Sequence, residues 1–550
     1  MTISTTINPH PYTPEYSLAN PLIRPMGRNG VVASHHYLAS EAGLEILRKG
    51  GNAIDAAVAV SAALGVVEPA MNGAGGNGNM LIYWAADDRT YCLDFSGTTP
   101  RAAGNATSGD VYFGPRAQLV PGNLDGWLAA LERFGTMDRE SVFAPAIRHA
   151  DDGYPVSPTL TYYIGRMLKT LQGEDSDVAR TFAPGGRAYQ PGEIVRQPHL
   201  ANTYRAIAKG GAEVFYRGEI ARAIASHVSE RGGWLSAEDL AAYQAEWQEP
   251  LVADYDGWRV STPPPPCSGV QILETLRILE GFDLKEWNSL SADYLHVLVE
   301  AIKLARHDRV FEGSSTSNAH RVSDFLSDAH VQDLRRRIDM RRAAPSEGDW
   351  YTSPHTTHFS VADRNGNVVS STQTLGAIFG SGVVVDGTGL ILNGLLFLFD
   401  FDPGSPNQLA PGKKIDDPMA PLIARHRDGR TLAVGSPGGQ GILQTNVQMF
   451  LNVAQFGLSP QQSVEAPRLT SWGKRAFIDK FGRTYDPTAL ALEDRFPEEL
   501  KAELASRGHA LQLLGAWSHA VGAGAIALRH ANGVVEGGAD PRRDGLAYAF

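Results

Sequence analysis

Residues 355–374 read HTTHFSVADRNGNVVSSTQT, and this stretch has the pattern of a β-hairpin. Residues 356–362 and 368–374 are rich in β-branched and aromatic side chains, which favour strands. The DRNGN sequence between them is typical of a tight turn. A hairpin folded about this turn places Thr356 opposite Thr374, within a register error of one residue.

The pairing of Thr356 with Thr374 has two interpretations. Directly opposed residues of an antiparallel pair have Cβ atoms about 4.5–5.5 Å apart, so one hydroxyl could hydrogen-bond and orient the other. Thr–Thr pairs are also common in ordinary sheets, and from geometry alone we favour the structural pair. The hairpin by itself therefore leaves a catalytic role open.

A second segment combines a strand, a glycine-rich loop and a helix. Residues 431–436 read as a strand, and Ile442, Leu443, Val447 and Leu451 have helical spacing. Gly438 and Gly439 lie between them, where a helix start presents unpaired backbone N–H groups that suit a developing oxyanion. A plain strand-to-helix turn explains the same residues equally well.

The remaining chain reads as helix-rich first and sheet-rich last. Two helices of small residues are predicted around residues 39–47 and 54–62, separated by a Gly-Gly stop. Short apolar runs at 80–84 and 91–95 predict strands, and helical patterns then dominate as far as about residue 310. Residues 312–355 are polar and end in turn-forming residues, which predicts a flexible segment.

The composition limits the classes of function. The 550 residues carry 49 basic and 60 acidic side chains, a formal net charge of −11, which disfavours a nucleic-acid partner. The 2 cysteines cannot form a disulfide framework. No apolar run is long enough to span a membrane, and residues 1–30 show no secretory signal. We expect a globular, cytoplasmic protein without a membrane partner.

Two motifs that often carry chemistry are discounted. Residues 73–78, GAGGNG, match G-x-G-x-x-G, but a predicted helix precedes them and a strand follows, the reverse of a dinucleotide site. His355 and His358 are three residues apart without a third ligand nearby, so we expect no metal. No cofactor is expected either.

Several short segments carry a family resemblance when they are taken in order. They are GGNAIDAAVA at 50–59, VPG at 120–122, PPPCSG at 264–269, TTH at 356–358, GSPGG at 435–439, EAPR at 465–468 and DPR at 540–542. In this order they resemble the gamma-glutamyltransferase family of N-terminal-nucleophile hydrolases. The resemblance extends over nearly the whole chain, from residue 30 to the C-terminus.

The resemblance implies a self-processing enzyme. Members of this family are made as a single inactive precursor that cuts itself before the Thr of the Thr-Thr-His motif, here between His355 and Thr356. The new N-terminal Thr356 would be the nucleophile, and its α-amino group, with an unperturbed pKa of about 7.7–8.0, would be its base. By the same resemblance, Thr374 orients the Thr356 hydroxyl, and the Gly438 and Gly439 amides form the oxyanion hole.

The resemblance also implies the architecture. A four-layer αββα sandwich is expected, in the α/β (α+β) class. Cleavage would give fragments 1–355 and 356–550, which together form one intertwined domain and a heterodimer that could pair further.

Several residues depart from the glutamyl-specific members of this family. Those members hold the substrate carboxylate with an Arg where this chain has Ser96, although Arg101 lies five residues on. They also have polar and acidic residues where this chain has GLLFLF at 394–399, and an Asn or paired Ser at two other positions. The candidate substrate-binding residues are therefore Ser96, Arg101, Gly376, Leu395, Phe397 and Asp417.

These departures predict a less polar acyl site, because a zwitterionic glutamyl head group needs charged partners. The chain is more similar to the cephalosporin-acylase-like and amidohydrolase members, although residues 395–399 could simply be a core strand. We expect an amidohydrolase or acyltransferase that acts on a small, non-glutamyl amide through an acyl-ester on Thr356. The alternatives are a true glutathione hydrolase that uses Arg101 and Asp400, and an unprocessed, non-catalytic scaffold protein.

Overall fold

The computed structural model describes residues 24–170, 177–309, 316–345, 355–471 and 489–550. Its strands are, in chain order, β1 (Met26–Gly27), β2 (Gly30–Ser34), β3 (Asn77–Trp84), β4 (Arg89–Phe95), β5 (Tyr154–Pro155), β6 (Ile194–Val195), β7 (Glu246–Gln248), β8 (Leu251–Tyr255), β9 (Trp258–Thr262), β10 (Thr356–Asp363), β11 (Val368–Thr374), β12 (Val384–Val385), β13 (Leu390–Ile391), β14 (Leu422–His426), β15 (Thr431–Gly435), β16 (Leu469–Ser471), β17 (Ala489–Leu492), β18 (Ala510–Leu513), β19 (Ala525–Arg529), β20 (Val535–Ala539) and β21 (Leu546–Ala549).

The helices surround two large sheets. They are, in chain order, α1 (Tyr37–Arg48), α2 (Ala53–Val67), α3 (Asn123–Phe134), α4 (Arg139–Asp152), α5 (Pro158–Thr170), α6 (Asp177–Phe182), α7 (Pro198–Tyr216), α8 (Glu219–Glu230), α9 (Ala237–Ala242), α10 (Val270–Leu279), α11 (Ala292–His307), α12 (Val322–Phe325), α13 (Asp328–Arg336), α14 (Ile442–Ala454), α15 (Pro460–Glu465) and α16 (Glu498–Ser506). No helix among the described residues is long and apolar enough to cross a membrane.

Two antiparallel, seven-stranded sheets form the centre of the molecule. Sheet I has the strand order β21-β2-β10-β11-β3-β4-β7, and sheet II has the order β1-β20-β19-β15-β14-β9-β8. Small and β-branched side chains from both sheets, including Val31, Leu81, Ala362, Ile423 and Ala433, pack together between them. The two sheets therefore lie face to face.

Helices cover the outer face of each sheet. Helices α1 to α9 share one hydrophobic core with sheet I, and α10, α11, α13, α14 and α16 share another with sheet II. The result is the predicted αββα sandwich. In sheet I, β10 and β11 lie between β2 and β3, so strands from before and after residue 356 are interleaved. The division into fragments 1–355 and 356–550 stays a prediction.

The predicted elements differ from the observed ones mainly at their ends. Strand β3 begins at Asn77, so the last residues of the glycine-rich motif are part of a strand. Within the segment predicted to be flexible, residues 322–325 and 328–336 are helical. Residues 312–315 and 346–354 of that segment lie outside the described residues, as do residues 1–23 of the N-terminal arm.

Helix α2 lies beneath the β10–β11 hairpin, and all of its residues are buried. A helix that is apolar on every side is stable only inside a core, and its alanines allow close packing on the sheet. Asn52 and Asp55 cap its start by exchanging hydrogen bonds. The amide of Ala53 also donates a 2.9 Å hydrogen bond to Asp363 in the hairpin turn. This contact fixes the helix against the turn.

The hairpin turn is organised by the Asp363 carboxylate. It accepts hydrogen bonds from the amides of Asn365 and Asn367 at 2.9 and 3.0 Å, and from the side-chain amide of Asn367 at 2.8 Å. Gly366 has a φ of 93°, a left-handed conformation that glycine adopts without steric cost. These hydrogen bonds fix the conformation of the turn. The conformation of the turn determines which residues of β10 and β11 lie opposite each other.

We expect Asp363→Ala to lower the free energy of unfolding by about 3 kcal/mol, because buried amide donors would lose a charged acceptor. Urea unfolding of the purified protein measures this change. Arg364→Ala, in the exposed part of the same turn, is the matched control. Equal stability of the two variants would contradict the role assigned to Asp363.

Candidate active site

The hairpin has the register that the sequence predicts. Thr356 is the first residue of β10 and lies directly opposite Thr374, the last residue of β11. The two Oγ1 atoms are 3.2 Å apart, with Thr356 donating. Both side chains are buried. The two hydroxyls are therefore in contact inside the protein.

Thr374 also contacts the peptide bond that precedes Thr356. Its hydroxyl donates a 2.6 Å hydrogen bond to the carbonyl oxygen of His355, and it accepts one of 2.8 Å from the amide of Gly376. A hydroxyl has one proton to donate and two lone pairs to accept with, so all three bonds form together. The carbonyl between His355 and Thr356 is thereby polarised beside the Thr356 hydroxyl.

The side chain of Thr356 faces the space between the sheets. Side chains alternate along a strand, so Thr356, His358 and Ser360 share one face of β10. Ser360 donates a hydrogen bond to the carbonyl of Ala525 in sheet II. The His358 ring lies so close to Gly435 that a Cβ there would be 2.1 Å from it. Thr356 therefore faces the loop that follows β15.

That loop contains Gly438 and Gly439. Both have positive φ, 139° and 55°, and they begin the 3-10 turn Gly439–Gly441 that leads into α14. No hydrogen bond from either amide N–H is present within the described part of the chain. Amides at a helix start can hold a developing negative charge. This is the arrangement that an oxyanion hole requires, and the catalytic role of these residues stays a prediction.

Two charged residues hold the backbone beside Thr356 and were not predicted. The guanidinium of Arg543 donates a 2.8 Å hydrogen bond to the carbonyl of Thr356 and pairs with Glu68 at 2.9 Å. Glu68 also accepts a 2.6 Å hydrogen bond from Thr357. Burial raises the pKa of Glu68, and Arg543 opposes that shift. Two features of the sequence could have indicated them: Glu68 is an acidic residue at the end of an apolar helix, and Arg543 directly follows the DPR motif.

The nearby histidines are structural. His358 makes contacts of 2.9 Å with the Thr372 hydroxyl and 3.1 Å with the Ser360 hydroxyl. Burial lowers its pKa to about 3, and burial likewise lowers the pKa of His35 well below its usual value. Both rings are therefore neutral near pH 7, and neither is tuned as a general base at that pH.

The two apolar residues predicted to line the substrate site, Leu395 and Phe397, contact different parts of the structure. Leu395 lies against Gly376, where a Cβ would be 2.7 Å from the leucine side chain. Leu396–Leu398 forms a 3-10 turn, so the alternative of a core strand at 395–399 is wrong. The ring of Phe397 stacks on Tyr112 at 5.7 Å. Leu395 thus lies beside Gly376, which is two residues beyond the end of β11, and Phe397 is less buried.

The polar residues predicted for the substrate site have other contacts. Ser96 donates its hydroxyl to Asp94, whose carboxylate also binds Lys414 at 2.7 Å. The Arg101 side chain is 70% exposed and lies 3.9 Å from Asp239. The structure does not bring Arg101 into contact with the buried Thr356.

Asp417 is fully buried and lies beside the segment PPPCSG. Its backbone bonds to Pro266 and Ser268, and one carboxylate oxygen accepts a 2.7 Å hydrogen bond from Met419. The other oxygen has no hydrogen-bond partner. Burial raises the pKa of Asp417 to about 8. The side chain is therefore mainly a neutral acid at pH 7.

The sequence profile of gamma-glutamyltranspeptidase matches residues 39–550. The chain belongs to this family. The family prediction made from the seven segments is thereby confirmed, and so is the predicted fold.

This chain is similar to known members of the gamma-glutamyltranspeptidase family over nearly their whole length. It is 36% identical over 550 residues to the acylase ACY 1 proenzyme of Pseudomonas sp. strain SE83, covering 95% of this chain and 94% of the relative. It is 33% identical to the oxamate amidohydrolase proenzyme of Klebsiella pneumoniae, covering 95% and 98%. The crystal structure of cephalosporin acylase from Bacillus halodurans superposes with a TM-score of 0.85 at 33% identity, covering 100% and 99%.

These findings make the protein a gamma-glutamyltranspeptidase-family amidohydrolase with an N-terminal nucleophile. The relatives are described as proenzymes, so the family form is a processed precursor.

The buried Asp417 of this amidohydrolase gives a prediction for pH dependence. Between about pH 4 and 8 the folded chain keeps a proton that the unfolded chain, with an Asp pKa of 3.8, has released. This group therefore destabilises the fold increasingly as the pH rises, by at most about 1.4 kcal/mol per pH unit. We expect Asp417→Asn to become more stable relative to the wild type as the pH increases from about 5 to about 8.

Urea unfolding at several pH values measures this difference. The exposed Asp402→Asn variant serves as the control. A stability difference between Asp417→Asn and the wild type that stays constant with pH would contradict the assignment of a protonated Asp417.

Proposed function

We propose that the protein is a self-processing threonine amidohydrolase that cleaves a small amide with a weakly polar acyl group through an acyl-ester on Thr356. The observation that carries this proposal is the chain of contacts from Thr356 to Thr374 to the His355 carbonyl. It joins a nucleophile, an orienting hydroxyl and a polarised carbonyl in one buried place.

The same contacts support self-cleavage of the precursor. The Thr356 hydroxyl attacks the carbonyl carbon of His355 and its proton passes to the peptide nitrogen. The C–N bond then breaks, which leaves an ester on Oγ1 and the free amino group of Thr356. The Thr374 hydroxyl stabilises the negative charge that develops on the His355 oxygen. Water then hydrolyses the ester, which releases the His355 carboxylate and restores the Thr356 hydroxyl. Because both residues are buried, an external protease would not reach this bond in the folded chain.

The mature chain would use the same hydroxyl on its substrate. The α-amino group of Thr356 takes the proton from Oγ as this oxygen attacks the amide carbonyl, and it gives the proton to the departing amine. The Gly438 and Gly439 amides hold the oxyanion. Water hydrolyses the acyl-ester and regenerates Thr356. The neutral His358 and His35 take no part in proton transfer.

The acyl group would lie beside Leu395. This side chain adjoins Gly376, whose amide bonds to Thr374, the residue that contacts Thr356. The rival glutamyl function requires charged partners for the head group, and the two residues considered for this role, Arg101 and Asp400, have other contacts. Arg101 is at the surface beside Asp239, and the exposed Asp400 bonds to Ser405. Among the relatives, the acylase and the oxamate amidohydrolase favour a non-glutamyl amide, whereas the glutathione hydrolase proenzymes of Bacillus subtilis and Pseudomonas sp. strain A14, at 32% and 35% identity, favour the rival function.

Processing can be tested at the proposed nucleophile. We expect Thr356→Ala to fold but to remain a single 550-residue chain, because it has no attacking hydroxyl. Thr356→Ser, which keeps the hydroxyl, should yield two fragments. A denaturing gel with N-terminal sequencing of the smaller band reads the result. Cleavage of Thr356→Ala at the same bond would remove Thr356 from the mechanism, and a wild type that is never cut would favour the scaffold interpretation.

The Thr374 hydroxyl can be tested separately. Thr374→Val should slow the cleavage of the precursor by about 100- to 1000-fold, the cost of removing one donor to a developing oxyanion. Timed gels of freshly synthesised precursor measure the rate, with Thr372→Val, on the same face of β11, as the control. An unchanged rate in Thr374→Val would contradict the role of its 2.6 Å hydrogen bond to His355.

Substrate class can be tested with chromogenic amides. We expect hexanoyl-p-nitroanilide to be hydrolysed with a higher kcat/KM than γ-glutamyl-p-nitroanilide, because the apolar Leu395 side chain adjoins Gly376, which bonds to Thr374. Leu395→Ala should lower kcat/KM for the hexanoyl substrate by about 10-fold. Leu396→Ala, in the same hydrophobic cluster, controls for lost packing. Robust turnover of the γ-glutamyl substrate alone would establish the rival function.

A further inference from the structure

Three ligand-type side chains meet on the outer side of sheet II, separate from the active-site residues described above. They are Glu274 on α10, Asp308 at the end of α11 and His330 on α13, and their ligand atoms all lie within 4.8 Å of one another. We propose that Glu274, Asp308 and His330 form a binding site for one divalent transition-metal cation of the zinc or manganese type.

Glu274 is the residue that points to a ligand. It is 0% exposed, and both of its carboxylate oxygens are buried without a hydrogen-bond partner. Its one ion pair among the described residues is with His330, at 3.3 Å. Burying a carboxylate without donors is costly, and proteins normally avoid it. A cation held by these oxygens would remove that cost.

The other two residues complete a donor set around the same point. Asp308 is nearly buried and its carboxylate contacts Nε2 of His330, the same nitrogen that faces Glu274. Three atoms that each lie about 2.1 Å from one ion are at most about 4.2 Å apart. The observed separations therefore require only small side-chain movements. The partly exposed His330, at 33%, gives the ion a route from solvent and leaves room for a water ligand.

Charge and donor chemistry select the type of ion. Two carboxyl groups that both ionise when they bind a metal supply a charge of −2, which one divalent cation neutralises. No Lys or Arg pairs with either carboxylate among the described residues, so a protein cation does not already do this. An imidazole nitrogen favours zinc or manganese over magnesium or calcium, which prefer oxygen ligands alone.

A second cluster of possible metal ligands does not contain a buried carboxylate without a partner. His296, Glu300 and His509 also lie close together. However, Glu300 pairs with Lys303 at 2.8 Å and accepts a hydrogen bond from the amide of Ala344. The two imidazoles bond to each other at 2.8 Å. Every member of this group is satisfied by the protein itself, so it carries no metal proposal.

An ion bound at Glu274 would have a structural role. It would tie α10 and the end of α11 to α13, and so add to the packing of Val331 and Leu334 in the core and to the Arg277–Asp328 ion pair. Helix α13 belongs to the segment that leads to the His355–Thr356 bond. The site is independent of the proposed catalytic chemistry, and it can fail or succeed without that proposal.

The first test measures metal uptake by the full-length protein. After dialysis against EDTA, we expect the protein to bind about one equivalent of Zn²⁺ in calorimetry with ZnCl₂, and its Tm to rise by a few degrees in the presence of Zn²⁺. MnCl₂ is the second probe, and MgCl₂ is expected to give neither effect. Absence of stoichiometric binding of both Zn²⁺ and Mn²⁺ would overturn the proposal, and would indicate that the two carboxylates share a proton instead.

Variants assign the binding to these side chains. His330→Ala, at a partly exposed position, should weaken Zn²⁺ binding at least 10-fold. Glu274→Gln should abolish the Zn²⁺-dependent rise in Tm while leaving the metal-free Tm equal or higher, because an amide of the same size replaces a buried carboxyl group that has no hydrogen-bond donor. A lost Zn²⁺ response together with an unchanged or higher metal-free Tm would show that the variant has lost a metal ligand and is not misfolded. Asp328→Asn, also on α13, should bind as the wild type does. Full binding by both His330→Ala and Glu274→Gln would place the ion elsewhere and refute the site.

Discussion

The register of the β10–β11 hairpin is the constraint on which the site depends. A shift of one residue would turn every side chain of β10 to the other face of sheet I, so Thr356 would face the helices instead of sheet II. The turn prevents this, because the Asp363 carboxylate accepts hydrogen bonds from both sides of the turn and from the start of α2. The contact between Thr356 and Thr374 is a consequence of that turn.

The position of Thr356 is further fixed by a segment that is distant in sequence. Arg543 binds the Thr356 carbonyl, and it follows a turn that is held by buried ion pairs. Within that turn Asp540 pairs with Arg468, and Arg542 donates a 2.7 Å hydrogen bond to Glu493. Such pairs are expensive to break once buried, because the remaining charge has no partner. They hold the C-terminal turn against the segments that adjoin β16 and β17.

In the proposed mechanism, the groups that react and the groups that select the substrate depend on different features of the fold. The hydroxyl pair and the glycine amides depend only on backbone register and loop conformation. The head-group contacts depend on individual side chains, and here Leu395 borders the site while Ser96 is turned to Asp94. Changing a few side chains alters the polarity of the site without disturbing the hairpin or the loop.

The sequence by itself determined the local elements, the fold class and the family. Turn residues, strand periodicity and glycine positions act over a few neighbouring residues, which is why the pairing of Thr356 with Thr374 and the Gly438–Gly439 loop could be predicted, whereas their catalytic roles came from the family resemblance. The sequence could not show that Arg543 and Glu68 hold the nucleophile's backbone, that Arg101 faces solvent, or that Glu274 meets His330. Those contacts join residues far apart in the chain, and only the packing of the two sheets and their helices brings such residues together or keeps them apart.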